Sequence, residues 1–93
     1  MIKQSRAPRG AGRKLTFALP AEHPAGTVSV VGSFNDWTPG VHVLRRRSNG
    51  TKSVTVTVPD GARVVFRYLG ENGHWFDDPD ADVLTHEGGH VHT

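Results

Sequence analysis

Apolar and polar residues alternate along several short segments of this 93-residue chain. The clearest alternation lies within residues 52–58, where valine occupies positions 54, 56 and 58 and serine or threonine occupies positions 53, 55 and 57. A period of two is typical of a strand that buries one face and exposes the other. The segment is therefore predicted to be a β-strand whose core-facing residues are Val54, Val56 and Val58.

Turn-forming residues separate the alternating segments at short intervals. The pair Asn49-Gly50 is typical of a tight hairpin turn, and no segment has the 3.6-residue periodicity of a helix. These features predict an all-β sandwich of about seven short antiparallel strands. The strands are expected near residues 14–19, 27–32, 41–47, 52–58, 63–69 and 74–76, with a last edge strand near 90–92.

Charge divides the chain into two unequal parts. Residues 1–14 hold five basic side chains and no acid, so the other residues carry a net charge of −3 within an overall +2. We interpret residues 1–13 as a flexible, solvated basic arm and residues 14–93 as a single domain. Contact of the arm with nucleic acid or an anionic surface is the less favoured alternative.

The composition excludes several classes of protein. Cysteine is absent, which removes disulfides, thiolate metal sites and cysteine nucleophiles. No apolar run is long enough to span a membrane, and the N-terminal residues lack the apolar stretch of a secretory signal. We therefore expect a cytoplasmic protein with no membrane contact.

The acidic and histidine residues form no recognisable catalytic or metal-binding motif. The acids gather late in the chain, in Asp- and Pro-rich segments, and a domain of this size offers no deep cleft for catalytic carboxylates. His86, His90 and His92 cluster near the C-terminus, but a metal site needs another strong ligand in a fixed position. We expect a protein that is not an enzyme and that carries no metal or cofactor.

Three consecutive arginines precede the hairpin turn. On a strand, Arg46 faces away from Arg45 and Arg47, so the triplet does not form one basic patch. The acidic residues near Trp75 would also repel phosphate groups. For these two reasons we do not expect binding to nucleic acid.

Both tryptophans lie among turn-forming residues rather than in apolar runs. Trp37 closes a Gly-Ser-Phe-Asn-Asp segment, and Trp75 follows a turn that contains Asn72. Arg67 belongs to the outward-facing set of its strand. A flat indole suits the apolar face of a sugar ring, while Arg67 and Asn72 supply groups for its hydroxyls. The pattern alone leaves equally open that each indole caps one end of the core.

Two blocks of sequence carry a family resemblance. The first is VVGSFNDW at residues 30–37, and the second is FRYL at residues 66–69, followed by Gly73, Trp75 and Asp78-Pro79. In order and spacing they resemble the glycogen-binding modules of carbohydrate-binding family 48, the isoamylase N-terminal or early-set domains. Such modules occur in the β subunit of AMP-activated kinase. The resemblance covers residues 14–92 and implies an immunoglobulin-like β-sandwich.

The resemblance also implies roles for individual residues. Trp37 and Trp75 take the positions that grip a linear α-1,4-glucan, and Arg67 stands where a lysine is familiar, with a planar fork in place of a point charge. Near the last strand, strong binders carry an apolar, a hydroxyl and an asparagine residue, where this chain has glycine and two histidines. The turn before Trp75 is one residue longer. The predicted carbohydrate site comprises Trp37, Trp75, Arg67, Asn72, His90 and His92, with Gly88 at the apolar position.

The sequence thus predicts a non-catalytic module that binds glycogen or a starch-like α-glucan, with a glycogen-metabolising enzyme as a candidate protein partner. The alternative is an early-set protein-interaction module that docks on such an enzyme or on a kinase without binding sugar. In that case the basic arm and an unpaired strand edge would form the contact surface.

Overall fold

The computed structural model describes residues 1–7 and 12–93. In it, two antiparallel sheets pack on each other. The strands of these residues are β1 Ile2–Arg6, β2 Arg13–Pro20, β3 Ser29–Gly32, β4 Arg45–Arg46, β5 Thr51–Val58, β6 Arg63–Leu69, β7 Trp75–Phe76, β8 Val83–Thr85 and β9 Gly88–His92. Sheet I has the order β1-β2-β5-β4. Sheet II has the order β3-β6-β9-β8, and β7 pairs with the end of β6. The predicted all-β sandwich is confirmed, with nine strands in the described residues rather than about seven.

Two single-turn 3₁₀ helices, Ser33–Asn35 and Glu71–Gly73, interrupt the strands. Each lies two residues before a tryptophan, so each belongs to the backbone that presents an indole. The described residues include no helical segment that could span a membrane.

Aromatic side chains from both sheets meet in the core. The Phe17 ring of β2 lies 4.6 Å from the Phe66 ring of β6, and Tyr68 packs edge-on against Phe66 at 5.5 Å. All three side chains are fully buried. Full burial of one large apolar side chain contributes roughly 1.5–3 kcal/mol, so this contact between the sheets is a main source of stability.

The segment predicted as one strand over residues 41–47 is divided between the sheets. Its first part borders β3, where Val30 N–H donates to His42 O at 2.8 Å and Leu44 N–H donates to Val28 O at 2.9 Å. Its second part becomes β4 and pairs with β5. The chain changes sheets at Leu44, which is buried in the core and anchors the crossing.

The N-terminal segment corrects the prediction of a flexible arm. Residues Ile2–Arg6 form an edge strand paired with β2, so the prediction is wrong for these residues. Ile2 packs against the core, and Gln4 Nε2 donates to His92 O at 2.9 Å. One core contact and a ladder of backbone hydrogen bonds thus hold a mostly polar segment. Part of the predicted arm, residues 8–11, lies outside the described residues.

The last strand is also placed differently from the prediction. β9 lies between β6 and β8 and is therefore an inner strand, whereas an edge strand was expected near residues 90–92. β8 covers its outer side through the pairs from Val83–His90 to Thr85–Gly88. The β8–β9 hairpin was not predicted, because two glycines and several polar residues mask the alternation of apolar and polar positions.

A buried carboxylate fixes the loop that follows β7. Asp78 accepts a hydrogen bond from Tyr68 Oη at 2.7 Å and one from Asp80 N–H at 2.8 Å, and the amino group of Met1 lies 3.0 Å away. Burial raises the pKa of Tyr68, and the hydrogen bond to Asp78 and the nearby negative charges raise it further. The tyrosine therefore remains a neutral donor that ties this loop to β6.

Candidate functional site

The loop of Trp37 is clamped by its own asparagine. Asn35 Oδ1 accepts from Gly32 N–H at 3.0 Å, and its Nδ2 donates to Val30 O at 2.9 Å. Trp37 N–H then donates to Gly32 O at 2.9 Å. Asp36 and Trp37 both adopt left-handed backbone angles, with φ of 53° and 57°. Because non-glycine residues rarely accept this conformation, the clamp holds a strained turn in place.

Trp75 is presented by strand register. It pairs with Leu69 across β6 and β7, so its indole shares the outer face of sheet II with Leu69. The next residue, Phe76, points to the opposite face, where its ring packs at a tilt against Tyr68 at 5.2 Å and stacks on His23 at 5.1 Å. This inward anchor leaves Trp75 47% exposed, and Trp37 is 42% exposed.

Arg67 lies between the strand ends that lead to the two tryptophans. β3 ends where Gly32 pairs with Phe66, and β7 begins where Trp75 pairs with Leu69. Phe66 and Tyr68 are fully buried while Arg67 is part-exposed, which confirms the predicted outward position of Arg67. Along β6, Arg67 therefore lies between the strand position that leads into the Trp37 loop and the partner of Trp75.

Two groups contact the guanidinium of Arg67 through different nitrogens. Its Nε lies 3.3 Å from Asp77 Oδ1, and its Nη2 donates to His86 O at 2.5 Å. Asp77 directly follows β7, and His86 lies in the turn between β8 and β9. Neither partner was predicted from the sequence, although Asp77 continues the outward alternation of Trp75. The His86 carbonyl belongs to the backbone of a turn, so no side-chain pattern marks it.

Gly88 makes room for Arg67. Its φ of +136° is a conformation that residues with side chains rarely adopt. A Cβ at this position would meet Phe66 O at 2.6 Å and Arg67 Cγ at 3.0 Å. The apolar side chain that the family resemblance implies here is therefore excluded by the backbone and by the arginine stem.

Asn72 lies at the end of the sandwich. Its φ of 61° explains the residue type, because asparagine tolerates the left-handed region better than most residues. Its side chain borders a depression of about 270 Å³ that also contains His23, Pro24 and His74. No hydrogen bond joins its side chain to Arg67 or Trp75, all three lying in the described part, so its role in sugar orientation stays a prediction.

The two histidines of β9 face outward but already have partners. His90 pairs with Val65 and is mostly buried, with its Nε2 2.9 Å from Thr85 Oγ1. His92 pairs with Arg63, and its Nε2 accepts from Arg63 Nε at 3.2 Å. Arg63 is six residues from Leu69, so His92 stands about 20 Å along the strand from the partner of Trp75.

No metal site is evident in residues 1–7 and 12–93, which contain no group of three or more histidine or carboxylate side chains arranged to hold a metal ion. A scan against protein-family models and a search of curated proteins found no match for this chain. Function is therefore inferred from the geometry of the site.

Proposed function

We propose that this chain is a non-catalytic module that binds glycogen or a related α-1,4-glucan through Trp37 and Trp75. The observation that carries the proposal is the exposure of both indoles, at 42% and 47%, while Phe17, Phe66 and Tyr68 are fully buried. Tryptophan is on average a well-buried residue, and exposing two of them sacrifices hydrophobic stabilisation. Stacking of the indoles on a sugar face would recover this hydrophobic stabilisation.

The polar part of the proposed site is Arg67. Its contacts with Asp77 and His86 hold the side chain in one orientation before a ligand arrives, which lowers the entropic cost of binding. Further N–H groups of the guanidinium remain for sugar hydroxyls, because arginine carries five donors. The indoles would supply most of the affinity and the arginine would orient the chain of sugars.

The proposed site is open, so its affinity for a short oligosaccharide should be modest, roughly micromolar to millimolar. A titration with maltoheptaose followed by tryptophan fluorescence tests the proposal, with a β-linked cello-oligosaccharide as the control sugar. We expect a saturable spectral change with maltoheptaose and a much smaller one with the control. An unchanged spectrum at millimolar maltoheptaose would contradict the proposal.

A second candidate is docking to a protein through the edge of sheet II. β8 pairs only with β9 among the described strands, and its Val83 and Leu84 are 48% and 51% exposed. An open edge with apolar side chains suits the addition of a strand from a partner. If maltoheptaose does not bind, co-elution of the wild type with a purified glycogen-metabolising enzyme, lost in Leu84→Lys, would support this candidate. Equal co-elution of both would exclude the edge.

A further inference from the structure

The outer face of sheet I combines basic and hydroxyl side chains without an acid. Strand register places Lys3, Lys14 and Arg45 on this face, opposite the inward Phe17 and Val56. None of the outward positions of β1, β2, β4 and β5 is Asp or Glu. The outward hydroxyl residues are Ser5, Thr16, Thr51, Ser53, Thr55 and Thr57.

A fourth cation reaches across this face from the hairpin. Arg47 Nε donates to Ser53 Oγ at 2.9 Å, and its Nη2 donates to Ser53 O at 3.2 Å. Arg46 points the other way and pairs with Glu22 at 3.1 Å, as the strand alternation predicts. The arginine triplet thus contributes two of its three cations to one face.

The positive charge of this face is not compensated by neighbouring acids. Among residues 1–7 and 12–93, Lys3, Lys14, Arg45 and Arg47 form no ion pair, whereas Arg67 on sheet II is paired with Asp77. Charges that lack partners produce a field that extends into solvent and attracts anions from a distance. The acidic residues of the chain mostly follow β6 and belong to the loops of sheet II.

The arrangement of the cations matches a polyanion rather than a single small ion. The lysines lie on β1 and β2, and the arginines lie on or beside β4, about 14 Å from β1 at the usual strand spacing. A depression of about 180 Å³ lies between these two edges. Its polar lining is Lys3, Thr16, Arg47, Asn49, Thr51 and Ser53. Lysine, arginine, hydroxyl and amide groups are the usual partners of backbone phosphates.

We propose that the outer face of sheet I binds the phosphate backbone of a nucleic-acid duplex without sequence preference. The face presents no outward aromatic residue in β1, β2, β4 or β5, so it lacks the stacking platforms that single strands require. The sequence indicated no binding to nucleic acid, because the arginine triplet splits and because acidic residues lie near Trp75, which the fold places on sheet II. The fold supplies what the triplet lacks, since β1 and β2 bring Lys3 and Lys14 to the face of Arg45 and Arg47.

The test is fluorescence anisotropy of a labelled DNA duplex of about 20 base pairs, titrated with the full chain at several KCl concentrations. Four phosphate contacts predict a slope of about −3.6 in log affinity against log salt, or a loss of about 150-fold for a fourfold rise in salt. Removing one pair of cations, as Lys3→Gln with Lys14→Gln or Arg45→Gln with Arg47→Gln, should reduce the slope to about −2.

The matched control is Arg46→Gln with Arg63→Gln, because it also removes two exposed cations, neither of which lies on the outer face of sheet I. We expect it to leave the slope within about 0.5 of the wild type. An equal loss in the control and in the paired variants would show a mere net-charge effect and overturn the proposal. A wild type that binds anionic phospholipid vesicles but no duplex would also overturn it, as would a preference for single strands.

Discussion

The outer faces of sheets I and II arise from the same alternation of strand residues, but they differ in how their charges are neutralised. On sheet II, Arg67 is fixed by Asp77 and by a backbone carbonyl, on the face that also carries the exposed indole of Trp75. On sheet I, Lys3, Lys14 and two arginines have no acidic partner among the described residues. Alternate residues of each strand pack the core, and the residues between them can differ from one sheet to the other.

This difference separates two kinds of recognition. A compensated, hydrogen-bonded arginine has little long-range field and suits a neutral ligand that is bound by stacking and by oriented hydroxyl contacts. An uncompensated basic face attracts a polyanion and loses affinity in salt. We therefore expect the two faces to respond to different substitutions and to different solution conditions.

The largest effect should come from changing the sheet II face beneath Arg67. Gly88→Leu forces a side chain into φ +136° and against Phe66 O at 2.6 Å, so we expect a loss of about 3 kcal/mol in the free energy of unfolding. Urea denaturation measures this loss. Gly50→Ala is the control, because Gly50 also has positive φ but no atom lies within 4 Å of the place that its Cβ would take. Equal losses in both variants would mean that backbone angle, not the contact under Arg67, is responsible.

Removing either indole should weaken glucan binding while leaving the sheet I face intact. We expect Trp37→Ala and Trp75→Ala each to raise the dissociation constant for maltoheptaose about 30-fold, or about 2 kcal/mol. Duplex binding should change less than twofold in the same variants. A variant that keeps normal maltoheptaose affinity removes its tryptophan from the site.

A substitution in the core between the two sheets should lower stability by a smaller amount and leave ligand binding at both outer faces unchanged. Tyr68→Phe leaves the buried Asp78 with one donor fewer, so we expect a loss of about 1–2 kcal/mol in the free energy of unfolding. Thr16→Val is the control, because it removes an exposed hydrogen bond to Thr55 and should cost less than about 0.5 kcal/mol. Thermal unfolding at neutral pH compares the two variants. Equal stability of Tyr68→Phe and wild type would contradict the anchoring role of Asp78.

His23 supplies the smallest effect, a dependence of stability on pH. Burial lowers the pKa of His23 from 6.5, and the positive charges of Lys52 and His74 lower it further. Its Nδ1 also accepts from Ala25 N–H at 3.1 Å, a bond that protonation at this nitrogen would remove. Glu22 and Glu71 line the adjoining depression.

Because the pKa of His23 is lower in the folded state, the unfolded chain takes up its proton first as the pH falls. The contribution of His23 is fully present above about pH 6.5 and declines below it. His23→Asn keeps an acceptor for Ala25 N–H and should flatten the loss of unfolding free energy between about pH 7 and 5. Parallel pH profiles for the variant and the wild type would show that other groups govern this range.

The sequence predicts those parts of the fold in which alternation and turn chemistry agree. Residues 52–58 and 63–69 are strands because valine and aromatic residues recur at every second position, and this pattern also identifies Arg67 as outward-facing. β1 is not predictable in this way, because Ile2 is the only apolar residue of its strand and the partner strand supplies the ladder.

The polar partners within the site are the least predictable part. The contacts of Asp77 and the His86 carbonyl with Arg67 depend on how the residue after β7 and the β8–β9 turn are placed against β6, which no local pattern describes. The engagement of His90 by Thr85 depends on the register of the β8–β9 hairpin in the same way. A single chain shows residue types and spacing, but register across a hairpin follows from tertiary packing.

The most direct test uses the two indole N–H signals in a nitrogen–proton correlation spectrum, assigned with Trp37→Phe and Trp75→Phe. We predict that maltoheptaose shifts both indole signals along a common saturation curve, while the DNA duplex shifts neither at a concentration that saturates its own site. Maltoheptaose that leaves both signals in place would contradict the account of the sheet II face, and a duplex that moves them would contradict the separation of the two faces.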